Sequence, residues 1–337
     1  MAYLSFTTRN FTAPVLPASG DLRVSLARLL LGATTVGATP VALGARPRPL
    51  IELCWRVALA GANLEEDPSS DRWVRTEANH RLDRSEKSAV SYFLGMTQAK
   101  ITCEMLLGVP HLVHLDAILA ILGQRANKSR PDFVGFDLAS MTYTIAVEAK
   151  GRSWERDDDV TNKAKEQAQL LPTIVTTSSS VRAASVASFD TDGYWVAYLE
   201  DPAGPYEQLV SLTAGDTLVA YYRPLVAALL TAGTDRELSD DLTLFARMPD
   251  IDMMLGIPRI IVATFDRLPL TGRIPTRQLA YAGARLSDTL PNLPGKPEAS
   301  VVGQNWVSRG NSEAESPASC TGWDGVHVTL GPSWFPS

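Results

Sequence analysis

The sequence predicts an α/β fold with a mixed sheet flanked by helices. Three observations carry this expectation. Residues 83–107 combine a helix-start signature with helical apolar spacing. Residues 131–138 and 143–150 read as two short apolar strands around a turn-like LeuAlaSerMetThr. A polar helical stretch near 158–171 is followed by further strand patterns.

Taken in order, residues 21–31 and 50–60 are predicted as helices, joined by a Pro/Gly-rich stretch around 46–49. Asp83 and Glu86 stand three apart, the capping-box spacing of a helix start. Val90, Phe93, Leu94 and Ile101 then recur at helical intervals until Gly108 and Pro110 stop the pattern. Residues 112–122, rich in Leu, Ile and Ala, fit either helix or strand. The two runs 131–138 and 143–150 are predicted to pair as an antiparallel hairpin. The acidic run Asp157, Asp158 and Asp159 suits a helix N-terminus. Strands are expected at 182–189 and 194–199, a helix at 207–232 and a buried strand at 258–265. Residues 287–325, rich in Pro, Ser, Gly and Asn, are expected as loop, with a short terminal strand at 326–330.

A chain of 337 residues with 45% hydrophobic content can bury a sizeable core, and 20% charge argues against a mostly disordered chain. The expected division is a helical N-terminal extension over 1–80, a central domain over 81–270 and a loop-rich region over 271–337. The formal net charge of −6 is unlike that of a protein that coats nucleic acid non-specifically. Any nucleic-acid contact therefore needs a local basic patch, a protein partner or a second copy. Three widely spaced cysteines give neither a disulfide framework nor a CxxC pair, which fits a reduced, cytoplasmic setting. The opening residues lack a signal-peptide pattern, and residues 29–45 are too weakly apolar to insert, so no membrane association is expected.

The segment most suggestive of chemistry is Arg-Pro-Asp132-Phe-Val-Gly-Phe-Asp, then ten residues, then Glu148-Ala149-Lys150-Gly-Arg. Positions i and i+2 of a strand share a face, so Glu148 and Lys150 project together. Pairing of the two strands sets Asp132 beside Glu148. Two carboxylates offer the hard oxygen donors that Mg²⁺ prefers, and a neighbouring lysine can orient water or meet developing negative charge.

This pattern resembles the PD-(D/E)xK nuclease superfamily, whose restriction-endonuclease-like core runs αβββαβ. The resemblance covers roughly residues 83–200. It implies a nuclease acting on a phosphodiester in DNA, with Mg²⁺ or Mn²⁺ as cofactor and a bacterial defence or restriction setting. It further implies metal binding by Asp132, Glu148 and the Ala149 carbonyl, and a catalytic role for Lys150. Members often add an acid from the first helix, for which Glu86 is the candidate and Glu104 the reserve. Lys163, Lys165 and Gln167 are available on the following helix, although the Gln-x-x-x-Tyr pattern of one branch is absent because Leu171 stands at its last position. A catalytically silent nucleic-acid-binding scaffold and an RNA-directed nuclease are the competing readings.

Other polar groups have simpler readings. His111-x-x-His114 with Asp116 lacks a nearby third histidine and reads as structural. Asp190-Thr-Asp192-Gly193 reads as a turn, and Asp250-x-Asp252 has no following lysine. Arg152, Arg156, Lys163 and Lys165 suit phosphate contact or a solvated face equally. Trp154, Tyr194 and Trp195 are expected to pack rather than to stack bases.

Overall fold

The protein is described by a computed structural model covering residues 1–11, 15–36, 48–123, 130–136, 144–169, 180–202, 213–270, 273–293 and 316–335. The first strands are β1 (Ala2–Arg9) and β2 (Ser19–Val24), an antiparallel pair. Helices α1 (Leu26–Thr35) and α2 (Arg48–Asn63) follow, then β3 (Leu64–Asp67), β4 (Arg72–Arg75) and the short α3 (Glu77–Arg81). The long α4 (Arg84–Leu107) leads to β5 (Val113–His114), α5 (Leu115–Leu122), β6 (Phe133–Phe136) and β7 (Thr144–Gly151). Next come α6 (Asp158–Gln169), β8 (Ser180–Phe189) and β9 (Trp195–Glu200). The remainder holds α7 (Ala214–Ala232), β10 (Thr234–Asp235), β11 (Thr243–Met248), β12 (Met253–Pro258), α8 (Arg259–Thr264), α9 (Thr276–Thr289), β13 (Ser319–Thr321) and β14 (His327–Leu330).

Among the described residues, nine strands form one mixed sheet in the order β3-β4-β1-β9-β8-β7-β6-β5, with β2 added on β1. Strands β10 to β14 form a second, antiparallel sheet in the order β10-β11-β12-β14-β13. The α/β class with a large mixed sheet and flanking helices is therefore present. Among the described residues, no helix is long and apolar enough to cross a membrane.

Local chemistry explains the elements around β7. Asp83 accepts the Ser85 and Glu86 N–H groups while Glu86 reaches back to the Asp83 N–H, closing the capping box of α4. Gly108, at φ 68°, ends the helix in the left-handed conformation that glycine adopts without steric cost. Strand β7 pairs antiparallel with β6 and parallel with β8, and α6 supplies the crossover between β7 and β8. Consecutive residues of β7 from Ile145 to Ala149 are all buried, so both of its faces are covered. Helices α4 and α6 both pack on β7 and β8.

The contact between α4 and β7 is backbone on backbone. A Cβ on Gly95 would lie 2.8 Å from the Gly151 N and the Lys150 carbonyl carbon, and one on Gly151 would meet the Ser91 carbonyl oxygen. Glycine at both points lets the helix sit directly on the strand.

Several expectations need correction. The helix anticipated at 21–31 is strand β2 followed by α1, because Asp21, Leu22, Arg23 and Val24 alternate in and out against β1. The region anticipated as a helical extension contributes β1 to β4 to the main sheet, with β1 lying parallel to β9. The strand anticipated at 258–265 is helix α8; the preceding residues Met253–Pro258 take the buried strand position instead. Helix α9 extends to Thr289, into the stretch expected as loop, and buries Leu279, Ala282 and Leu286. The apolar stretch at 112–122 resolves into β5 and α5. The turn expected at 138–142 and part of the helix expected from 207 lie outside the described residues.

Gly95→Ala is expected to lower stability by about 1–3 kcal/mol in chemical denaturation, the usual cost of overpacking, although alanine is the better helix former.

Candidate active site

The β6–β7 register places Phe133 opposite Val147, so Asp132, one residue before β6, comes beside Glu148. The two residues brace each other reciprocally. The Asp132 N–H donates to Glu148 Oε2 at 3.2 Å, and the Ala149 N–H donates to Asp132 Oδ2 at 3.1 Å. The Lys150 ammonium donates to Glu148 Oε1 and, at 2.7 Å, to Gln167 Oε1 on α6. Sequence reasoning placed Asp132, Glu148 and Lys150 at one point, and the structure brings them together. Gln167, one of three polar residues available on the helix, is the one that touches Lys150.

The electrostatics are unusual for a carboxylate. Glu148 is only 1% exposed. Burial pushes its carboxyl up to about 7, and the neighbouring Asp132 adds to the rise, against a partial offset from Lys150. Asp132 is also raised, chiefly by burial, against the pull of the Ala149 N–H and Lys150. Two acids share one lysine-flanked space in which burial outweighs the nearby positive charge, that of Lys150 and, for Asp132, also that of Arg130. Such a pair takes up a proton or a cation. Its oxygen donors fit a hard divalent ion such as Mg²⁺ or Mn²⁺. The Ala149 contact to Asp132 runs through its N–H.

Three further groups surround the pair. Asp116, in the first turn of α5, receives a two-pronged grip from Arg130 at 2.8 and 2.6 Å, just before Pro131 and Asp132. His114 is buried at the start of α5, where its Nδ1 accepts the Asp116 N–H at 3.3 Å. Burial lowers its pKa to about 4, so the ring is neutral at physiological pH. Tyr92 of α4 follows Ser91, the residue in contact with Gly151. Its hydroxyl is raised first by burial and then by the Asp132 charge, which places it within electrostatic range of the site. The sequence signal for Arg130 was its place beside Pro131 and Asp132. Tyr92 had none beyond its position in a helix.

Other candidates lie elsewhere. Glu86 is exposed, and its carboxylate accepts the Asp83 N–H in the α4 cap; no contact joins it to Asp132 or Glu148 among the described residues. Glu104 sits in a separate buried ion network. It accepts from Arg28 at 3.0 Å, Lys100 at 2.8 Å and the Trp323 N–H at 2.8 Å, and Lys100 lies 3.4 Å from Asp324. Burial raises the Glu104 pKa, but Lys100 and Arg28 outweigh it and hold the group at about 2.

His111 turns away to Tyr222, 2.8 Å from its hydroxyl, so the two histidines do not converge. Asp157 caps α6 through the Val160 N–H, and Asp190 organises its turn through the Asp192 and Tyr194 N–H groups. Asp252 accepts from Ser333. Arg152 pairs with Asp157, Arg156 lies over the Tyr198 ring at 4.1 Å, Lys165 reaches Glu200 at 3.4 Å and Lys163 is exposed. Trp195 is buried. Trp154 is exposed and lies under Arg75, with its ring centroid 5.4 Å from the guanidinium, and Arg72 lies over Tyr194. Among the described residues, no three His, Cys, Asp or Glu side chains already stand in a metal-holding cluster, so the donors brought together are Asp132 and Glu148.

No family profile, curated protein or solved structure matches this chain.

The folded protein holds the Glu148 proton more tightly than the unfolded chain does. This contribution to stability is full below pH 4.5 and is lost as pH rises through about 7. Melting scans across that window are expected to show Tm falling with pH, and Glu148→Gln is expected to flatten the fall.

Proposed function

We propose that the protein is a metal-dependent nuclease that hydrolyses phosphodiester bonds, with DNA as its substrate. The observation that carries this reading is the Asp132–Glu148 pair, with Glu148 buried and raised by its acidic neighbour, and with Lys150 directed onto it by Gln167. A purely structural carboxylate in this position would be expected to be fully paired, as Glu104 is. The order of elements adds support. Helix α4 is followed by the antiparallel strands β5, β6 and β7, then by α6 and the parallel strand β8. That sequence of elements is similar to the αβββαβ core of the PD-(D/E)xK nucleases, with α5 inserted between β5 and β6.

Asp132 and Glu148 would hold a Mg²⁺ or Mn²⁺ ion through their carboxylate oxygens. The ion, when bound, supplies Lewis-acid stabilisation and a more acidic water. The protein's own residues do the rest. Glu148 would hold the cation in place of the proton that its raised carboxyl retains. The Asp132 backbone N–H fixes the Glu148 carboxylate, and the Ala149 N–H fixes that of Asp132. Gln167 holds the Lys150 ammonium where it can orient the attacking water and meet negative charge growing on the phosphate. The reach of α4 over Gly151 fixes the end of β7 and so the position of Lys150.

Purified protein is expected to cut DNA in Mg²⁺ or Mn²⁺ and to stop when a chelator is added. Lys150→Ala should slow cutting by on the order of a hundredfold, the scale for removing one charge-stabilising donor. Asp132→Ala should abolish it. Cutting that persists in Asp132→Ala contradicts the assignment, and cleavage confined to RNA reassigns the substrate.

A further inference from the structure

An exposed aromatic strip leads to the candidate active site. On α2, Ile51 and Trp55 are one helical turn apart and are 61% and 47% exposed. The Trp55 ring meets the Phe93 ring of α4 edge-on at 4.5 Å, and Phe93 meets Tyr92 edge-on at 5.1 Å. Tyr92 is 40% exposed. Its backbone follows Ser91, whose carbonyl closes on Gly151 immediately after Lys150. Exposed Arg48 lies at the far end, three residues before Ile51 on the same side of α2.

Large apolar side chains so exposed and so contiguous mark a binding surface more often than a bare exterior. Both helices are packed into the fold, so the rings are held in place before any ligand arrives. Each edge-on contact covers a face of only one ring of the pair, and Trp55 and Tyr92 stay 47% and 40% exposed. Part-exposed aromatic rings next to a phosphodiester-cleaving centre suit unstacked bases, each of which presents a π-face of its own. A duplex hides those faces within its stack.

We propose that Trp55 and Tyr92, buttressed by the partly buried Phe93 between them, form a stacking platform for single-stranded nucleic acid, which guides the strand toward Asp132, Glu148 and Lys150. This rests on the nuclease reading for its direction of travel, while the platform can be measured without cleavage. Stacking sets affinity and strand preference. Tyr92 stands nearest the centre and Trp55 farther along the strip, with Arg48 beyond it to meet a phosphate.

The test uses the full-length chain in chelator, so that nothing is cut. Binding of fluorescein-labelled oligothymidylate is followed by polarisation, with oligouridylate as a second arm and a duplex of equal length as competitor. The single strand should bind more tightly than the duplex. Trp55→Ala should weaken binding by about tenfold, in line with the loss of one stacked base, and Trp55→Phe should stay within about twofold of the parent. Trp55→Phe should melt with the parent and Trp55→Ala only slightly below it, since the half-exposed ring gives up little more than its edge-on contact with Phe93.

The comparison of oligothymidylate with oligouridylate reports which sugar is preferred; binding to either supports the platform. Binding unchanged in Trp55→Ala overturns it. So does a duplex that competes as well as the single strand, or a failure to bind either oligonucleotide. Cutting assays then separate the two readings. Asp132-dependent cleavage that ignores Trp55 removes the platform and leaves the nuclease. Trp55-dependent binding with no cleavage keeps the platform and removes the nuclease.

Discussion

Helix α4 rests directly on the end of β7, and the geometry of the site depends on that contact. Gly95 and Gly151 bring two backbones together where any side chain would hold them apart. The closure covers β7, and with α6 also packed on that strand Glu148 loses its water. Desolvation is what raises its pKa, and the short hydrogen-bonded register to Asp132 sets a second acid beside it. The unusual chemistry of the pair thus follows from a packing constraint at Gly151, three residues along β7 from Glu148. A side chain at position 95 or 151 would shift the helix, admit solvent and relax the pair toward ordinary carboxylates.

Two buried acids on neighbouring elements behave in opposite ways. Glu104 has Arg28, Lys100 and a backbone N–H around it and is held near 2. Its network joins α1 and α4 to Asp324, to which Tyr221 and Tyr222 also donate. Every member has a partner, which is how a buried polar network stabilises one arrangement of elements. Glu148 has a single ammonium in contact and a second acid nearby, and it rises to about 7. Burial alone does not tell the two apart. The balance of neighbouring charge does: Glu148 shares its space with a second acid and a single ammonium.

Much of the site was legible because its determinants are local. The spacing from Asp132 to Glu148 and Lys150 needs only a hairpin, and strand periodicity puts Glu148 and Lys150 on one face. The capping box at Asp83 and Glu86 was equally local, and it accounts for the observed contacts of Glu86. What sequence could not supply was long-range. Tyr92 approaches the acids only because α4 lies on β7. Lys100 and Glu104 look like an ordinary exposed pair at i and i+4, and only the fold around them makes them a core network. Ile260, Ile261 and Val262 read as strand by their β-branched character, yet tertiary packing makes them helical. The alternation of Ala2, Leu4, Phe6 and Thr8 was present in the sequence as a strand signal, but its place parallel to β9 depends on residues nearly two hundred positions away.

The central claim is that Asp132 and Glu148 share a space in which a proton and a divalent cation compete. Calorimetric titration of Mn²⁺ near pH 6, repeated in buffers of different ionisation enthalpy, measures that competition directly. The account predicts close to one proton released for each cation bound, with binding lost in Asp132→Ala and proton release lost in Glu148→Gln. Cation binding with no proton released, or binding that survives both substitutions, would contradict it.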